Sequence, residues 1–189
     1  MRRVMLAAVA VVGVLSACSD DTIPLAKLPA ADAQAPSIRC TVPGDCPSGT
    51  YCEKISCTAA AGTCELFPAQ CPSVESSVCG CDGITYLDDC LRQANGASGS
   101  TPGPCHLDEG VNCGGPANVA CPSGTECGRL LGFGPCGTDP VGVCWMLPST
   151  CPTAASADRW DACGAGPACA TVCDAIKTGG VFHRAGKCP

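Results

Sequence analysis

Cysteines are the feature that most constrains how this chain can fold. The sequence has 21 of them in 189 residues, above the roughly 8–10% that marks a disulfide scaffold. When Cys18 is set aside, an even twenty remain, which fits a fully paired framework in an oxidising compartment. Because the chain has only three Phe, two Tyr and two Trp, disulfide bonds must supply much of its order. The sequence therefore predicts a small, disulfide-rich fold.

The twenty cysteines fall into two sets of ten, and the sequence around them repeats. CPSGTYC at 46–52 matches CPSGTEC at 121–127, and GTCELFPAQCP at 62–72 matches GVCWMLPSTCP at 142–152. An internal repeat of this kind indicates tandem structural units. We therefore predict module 1 at 40–105, a short polar linker at 106–112 and module 2 at 113–188.

The residues before the modules predict export. Two arginines followed by an apolar run of about a dozen residues are typical of a signal peptide, here 1–17. Leu-Ser-Ala-Cys at 15–18 resembles the lipobox of bacterial lipoproteins, which implies that Cys18 carries acyl chains. The alternative is an ordinary signal peptide with an incidental cysteine. The rest of 18–39 has the composition of a flexible tether, so we expect a lipid-anchored protein at the outer membrane or cell surface.

The charge and the histidines exclude several functions. Without the two arginines of the leader, nine basic residues stand against seventeen acidic ones, which argues against nucleic acid as a partner. His106 and His183 are the only histidines, and neither lies in a hydrolase or zinc-protease motif. We predict no catalytic residues and no cofactor. We also predict no metal, because an oxidising compartment favours disulfides over metal-bound thiolates.

One segment of module 1 has a diagnostic cysteine spacing. Seven residues separate Cys71 from Cys79, ten separate Cys79 from Cys90, and VCG-x-DG-x-TY spans 78–86. Over 64–105 this pattern resembles the Kazal-type serine protease inhibitor domain, in a Cys-Gly-Cys-Asp-Gly form found in bacterial exported proteins. The resemblance implies a short helix, a small β-sheet and an exposed loop that enters a protease cleft as a substrate would.

Local signals predict the elements of each module. Asp82-Gly83 is a tight-turn dipeptide, and 84–86 has strand propensity. A helix of about two turns is predicted within 88–97, and its counterpart in module 2 within 171–178. The four-cysteine part at the start of each module, rich in Gly, Pro and Ser, should consist of turns and short strands.

The resemblance implies that the reactive loop is 72–78. Carried over to this sequence, the scissile bond follows Ser73, which becomes P1, with Pro72 at P2, Val74 at P1′ and Glu75 after it. A small P1 residue suits elastase-like or subtilisin-like pockets poorly to moderately, and it offers nothing to a trypsin-like pocket, which requires Lys or Arg. The expected partner is an extracellular serine protease with a small-P1 preference, or another surface protein.

Two residues outside the loop are implied to support it. Tyr86 packs beside the loop in the family, although a core aromatic is an equally good interpretation. Asp88 stands where the family usually has an asparagine whose amide braces the loop. A carboxylate accepts hydrogen bonds but does not donate them, so this brace is altered.

The resemblance also implies part of the disulfide pattern. The family's fifth cysteine is missing after Cys90, and Cys81 appears in the turn instead. The implied bonds are Cys71–Cys90, Cys79–Cys105 and, as a replacement for the missing one, Cys64–Cys81. Spacing leaves open how Cys40, Cys46, Cys52, Cys57 and the cysteines of module 2 pair.

Module 2 contains a degenerate version of the motif at 144–188. Eleven residues lie between Cys151 and Cys163, and the Asp-Gly turn is lost, so we expect the scaffold without the activity. Within its loop, 152–162, Trp160 is either a buried structural residue or a surface anchor.

Two functions follow from the sequence. The first is a cell-surface Kazal-like inhibitor that uses loop 72–78. The second is a non-inhibitory structural or protein-binding surface lipoprotein on the same disulfide scaffold, since a fold does not by itself specify function.

Overall fold

The computed structural model describes residues 37–72, 74–132, 135–153 and 158–186, all within one compact unit at Pro36–Pro189. The predicted signal peptide, the predicted lipidation site Cys18 and almost all of the predicted tether lie outside these residues. In the described part of the chain, no helix has the length and apolar character needed to cross a membrane.

The described residues form short strands and two short helices. The strands are β1 (Arg39–Cys40), β2 (Thr50–Glu53), β3 (Gly62–Leu66), β4 (Val78–Gly80), β5 (Thr85–Tyr86), β6 (Ser100–Pro102), β7 (Asn112–Gly114), β8 (Glu126–Leu131), β9 (Val141–Met146), β10 (Trp160–Ala162) and β11 (Val181–Arg184). The helices are α1 (Asp89–Ala94) and α2 (Val172–Lys177), with a 3-10 turn at Pro43–Asp45. Among these strands, Cys40–Cys52 joins β1 to β2 and Cys113–Cys127 joins β7 to β8.

The four-cysteine part of module 1, together with the strand that contains Cys64, folds as a separate three-stranded sheet. Its strand order is β1-β3-β2, and both pairings are antiparallel. The bonds Cys40–Cys52 and Cys46–Cys64 staple this sheet. The prediction of turns and short strands is confirmed for this segment.

The larger sheet contains strands from both modules. Its order is β10-β11-β8-β9-β5-β4-β6, with β7 also paired to β9. The crossing from module 1 to module 2 is the parallel pairing of β5 with β9, which aligns Thr85 with Trp145 and Tyr86 with Met146. Module 1 and module 2 therefore share backbone hydrogen bonds as well as a linker.

The hydrophobic core also crosses the boundary between the modules. Ile84 and Tyr86 of module 1 pack with Cys113 and Cys144 of module 2. Leu87, which is 1% exposed, packs in a second cluster whose other buried members all come from module 2: Val143, Trp145, Cys173 and Ile176. The few bulky residues of the chain therefore pack in clusters that contain residues of both modules.

Both helices lie within the ranges predicted for them, and the first residue of each predicted range caps its helix. The Asp88 carboxylate accepts a hydrogen bond from the Leu91 N–H and caps α1, and the Thr171 hydroxyl accepts one from the Asp174 N–H and caps α2. Gly179, at φ +69°, follows the end of α2 in the left-handed conformation that glycine favours.

Nine disulfide bonds join pairs of described cysteines. They are Cys40–Cys52, Cys46–Cys64, Cys57–Cys81, Cys71–Cys90, Cys79–Cys105, Cys113–Cys127, Cys121–Cys144, Cys136–Cys163 and Cys151–Cys173. Cys169 is disulfide-bonded as well. The two implied bonds at the ends of the candidate loop, Cys71–Cys90 and Cys79–Cys105, are present.

The implied bond Cys64–Cys81 is wrong. Cys64 lies within β3 of the three-stranded sheet, where it bonds Cys46. Cys81 instead bonds Cys57, which lies between β2 and β3. The reason is that the three-stranded sheet uses Cys64 internally, so the turn is connected to this sheet through Cys57.

The cysteines of the two modules do not correspond strictly by order. In module 2, β10 pairs with β11 as β4 pairs with β6 in module 1. Cys163 directly follows β10, as Cys81 directly follows β4, and Cys136–Cys163 is therefore the counterpart of Cys57–Cys81. If the ten cysteines of each set are matched in sequence order, Cys163 corresponds to Cys79. The structure shows that Cys163 corresponds to Cys81 instead.

Candidate reactive loop

Disulfide bonds hold both ends of the candidate loop 72–78. At its start, Cys71 is bonded to Cys90 of α1, with a Cα–Cα distance of 5.5 Å. At its end, Cys79 of β4 is bonded to Cys105, with a Cα–Cα distance of 4.6 Å. The loop is therefore fixed to α1 at its start and continues into β4 at its end.

The side chains at the start of the loop are exposed. Pro72 is exposed and Val74 is 42% exposed. Ser73, the residue that the resemblance places at P1, lies outside the described residues. The two residues that flank it are accessible to a partner.

The second half of the loop is bonded to the body of the protein. The Ser76 N–H donates to the Leu87 carbonyl at 2.9 Å, and the Ser77 carbonyl accepts from the Gly103 N–H at 2.9 Å. The Glu75 Oε1 accepts a hydrogen bond from the Cys173 N–H at 3.2 Å. Residues 75–77 are thus held by backbone and side-chain contacts from three directions.

Asp88 lies behind the loop, but its hydrogen bond serves the helix. The residue is 6% exposed, and its Oδ1 accepts from the Leu91 N–H at 2.8 Å. Within the described ranges, no hydrogen bond joins the Asp88 side chain to the loop. Asp88 does line a shallow cleft with Cys71, Pro72, Val74, Leu91, Pro148 and Pro152.

Tyr86 is a core aromatic that supports the turn before it. It is 2% exposed, and its hydroxyl donates to the Asp82 Oδ2 at 2.6 Å, while the Asp82 Oδ1 accepts from the Ile84 N–H at 3.1 Å. Burial, and then the hydrogen bond to Asp82, raise the pKa of the Tyr86 phenol above its usual range. Its link to the loop is the pairing of β5 with β4, in which Tyr86 lies opposite Val78.

The Tyr86 ring also explains why a glycine precedes the turn. A Cβ added at Gly80 would lie 2.8 Å from the Tyr86 Cε2, closer than van der Waals contact allows. Gly83 has φ +77°, a conformation that a residue with a Cβ rarely adopts. The predicted Asp-Gly turn and the strand that follows it are both present.

Trp160 of module 2 is buried, so its interpretation as a surface anchor is wrong. It is 8% exposed and packs with Ala175 and Phe182. The Arg184 guanidinium lies 5.5 Å from the centre of its ring. In so small a core, a large aromatic side chain contributes more by being buried than by remaining exposed.

Among the residues that the structure describes, three groups of sulfur and carboxylate atoms lie close enough together to be considered as metal sites. They are Cys40 with Cys46 and Cys52, Cys113 with Cys121 and Cys144, and Cys71 with Asp88 and Cys90. Every cysteine in these groups is in a disulfide bond. A cysteine binds a metal as a thiolate, so the sulfur atoms in these groups lie close together because the disulfide bonds pack beside one another.

A short helix, a small sheet and an exposed loop fixed at both ends by disulfide bonds define a small disulfide-rich protein. Residues 68–108 match the family model of the Kazal-type serine protease inhibitor domain. The chain therefore contains a Kazal-type domain in this segment, and Kazal-type domains are protease inhibitors and not enzymes. No curated protein matches the chain in a sequence search.

Proposed function

We propose that this protein inhibits an extracellular serine protease by presenting loop 72–78 as a substrate mimic. The observation that carries the proposal is the fixing of both loop ends by Cys71–Cys90 and Cys79–Cys105, while Pro72 and Val74 remain exposed. A loop held before binding loses less conformational entropy in the protease cleft. The same bonds keep the two ends of a cleaved loop together.

The proposed P1 residue, Ser73, defines the class of target. Its small side chain fits elastase-like or subtilisin-like pockets better than a pocket that requires a long cation. The disulfide content is that of an exported protein. We further propose that Cys18 carries a lipid and holds the inhibitor at the outer membrane or cell surface.

The direct test is inhibition by the oxidised mature chain, with Cys18→Ser to omit the lipid. Progress curves would be recorded for subtilisin-, elastase-, chymotrypsin- and trypsin-like proteases, followed by mass spectrometry of the protein. We expect saturable inhibition of an enzyme with a small pocket, slow cleavage at Ser73–Val74 only, and loss of inhibition on reduction. Rapid cleavage at many bonds, or no inhibition at all, would instead support a non-inhibitory surface protein.

A P1 exchange makes the test specific to the loop. Ser73→Lys should strengthen inhibition of a trypsin-like enzyme by about a hundredfold or more, because it supplies the cation that this pocket binds. Ser76→Lys is the matched control, since Ser76 is exposed in the same loop but lies outside the proposed scissile bond. Equal effects of the two substitutions would rule out Ser73 as P1.

A further inference from the structure

Glu75 connects the candidate loop to the second module. Its Oε1 accepts the Cys173 N–H at 3.2 Å across 98 residues of sequence. The first N–H groups of a helix have no partner within the helix, and Cys173 lies in the first turn of α2. The Glu75 carboxylate therefore satisfies a donor that α2 itself leaves unpaired.

The Glu75 carboxylate is enclosed and not merely adjacent to α2. Its Oε2 is buried and has no hydrogen-bond partner among the described residues. Cys173, which donates to Oε1, is fully buried and is bonded to Cys151. Glu75 thus turns its charge into the protein, although it lies only two residues from the proposed P1 position.

The backbone after Glu75 depends on module 2 as well. Ser76 donates to the Leu87 carbonyl at 2.9 Å, and Leu87 in turn donates to the Met146 carbonyl of β9 at 3.3 Å. The Leu87 side chain packs against Trp145 and Ile176. The residue that holds Ser76 is therefore positioned by a strand and a helix of module 2.

We propose that module 2 is the platform for the part of the loop that follows the scissile bond Ser73–Val74. Glu75 is the positioning residue that attaches this part of the loop to module 2. This inference rests on the proposed inhibitory function. Module 2 has lost the motif of an inhibitor, and the contacts give it a different role in the same activity: it holds Glu75 directly, and Ser76 through Leu87, while the bond before Val74 is cut and resealed.

The contact between Glu75 and α2 also affects the inhibitor after its loop has been cleaved. Hydrolysis of Ser73–Val74 consumes one water and leaves a carboxylate on Ser73 and an ammonium group on Val74, and resealing expels that water. Because Glu75 directly follows the new amino terminus, its contact with α2 keeps the ammonium group close to the carboxylate. A tethered amine reforms the bond more readily than a mobile one.

The test compares Glu75→Ala, Glu75→Gln and a control in the full oxidised chain. The control is Glu109→Ala, an exposed glutamate outside the loop. Two quantities are measured: hydrogen exchange of the loop amides at 74–78, and the ratio of cleaved to intact Ser73–Val74 at equilibrium with a catalytic amount of protease. Glu75→Ala should raise both by about tenfold, as expected for loss of one charged hydrogen bond.

Glu75→Gln keeps an oxygen acceptor of the same shape, so its effect should lie between those of wild type and Glu75→Ala. Glu109→Ala should change neither quantity. The inference is overturned if wild type inhibits a protease but Glu75→Ala alters neither the exchange nor the ratio. If wild type inhibits none of the four proteases, the proposed function fails, and faster exchange at 74–78 in Glu75→Ala still supports the attachment of the loop to module 2.

Discussion

Arg92 is a buried charge at the contact between α1 and the three-stranded sheet. It is 2% exposed, and its guanidinium donates to the Asp89 Oδ1 at 2.7 Å, to the Glu53 Oε2 at 2.9 Å and to the Ala97 carbonyl. Glu53 belongs to β2 and Asp89 to α1. One side chain therefore links two parts of module 1 through charge-assisted bonds, which are the stronger class of hydrogen bond.

Removing this guanidinium should lower the free energy of unfolding. Arg92→Gln leaves Glu53 and Asp89 without their cation, and we expect a loss of about 3 kcal/mol in the free energy of unfolding. Urea unfolding of the oxidised protein measures this loss. Arg39→Gln, at an exposed position in β1, is the control and should change the stability by less than about 0.5 kcal/mol. Equal effects of the two substitutions would contradict the role given to Arg92.

Asp89 makes the stability depend on pH. Its hydrogen bond from Arg92 is the main reason that the pKa of its carboxyl lies below the ordinary value of 3.8. A carboxyl whose pKa is lower in the folded state stabilises the fold above its unfolded pKa and loses that contribution as pH falls through its folded pKa. Wild type should therefore lose stability below pH 3.8.

The comparison that isolates this carboxyl is Asp89→Asn. The urea midpoint of wild type should fall more between neutral pH and about pH 3 than the midpoint of the variant. Parallel curves for the two proteins would assign the acid sensitivity to other carboxyl groups.

At the scale of elements, Cys57–Cys81 joins the three-stranded sheet to the turn before β5. It closes 24 residues of sequence, and a bridge of this span stabilises a fold by about 3 kcal/mol. Replacing both cysteines with serine should lower the stability by about that amount and leave both loop-end bonds intact. Non-reducing peptide mapping, with fragmentation between Cys79 and Cys81, checks the pairing directly. A fragment that links Cys64 to Cys81 would contradict the structure.

The elements that could be predicted from the sequence are those specified by neighbouring residues. Asp88 and Thr171 mark the beginnings of α1 and α2 because a helix cap acts within one turn. The turn at Gly83 requires a conformation that glycine favours. Both loop-end bonds followed from the family's spacing, which reflects a shared local architecture.

The elements that could not be predicted depend on distant partners. Spacing did not reveal that β3 needs Cys64 for its own sheet, because the number of possible pairings rises steeply with the number of cysteines. The contact between Glu75 and Cys173 joins residues 98 positions apart, and no local pattern encodes it. Trp160 illustrates the same point, since only the packed core decides whether an aromatic residue is buried.

At the scale of the whole molecule, the repeat does not produce two separate cores. The parallel pairing of β5 with β9 places Tyr86 beside Met146, and Leu87 packs mainly against residues of module 2. Each module alone would leave such side chains exposed, and small domains rarely bury enough apolar surface to be stable. The shared sheet and clusters therefore predict that the two modules unfold together.

The two tryptophans provide a direct test of that cooperativity. Trp145 and Trp160 both lie in module 2, whereas Arg92 bonds only residues of module 1. If 36–189 unfolds as one unit, Arg92→Gln should shift the urea midpoint seen by tryptophan fluorescence as far as the midpoint seen by far-ultraviolet circular dichroism. Arg39→Gln should shift neither midpoint. An unchanged fluorescence midpoint in Arg92→Gln would mean that module 2 unfolds independently, and a platform that unfolds independently of the loop could not hold it rigidly.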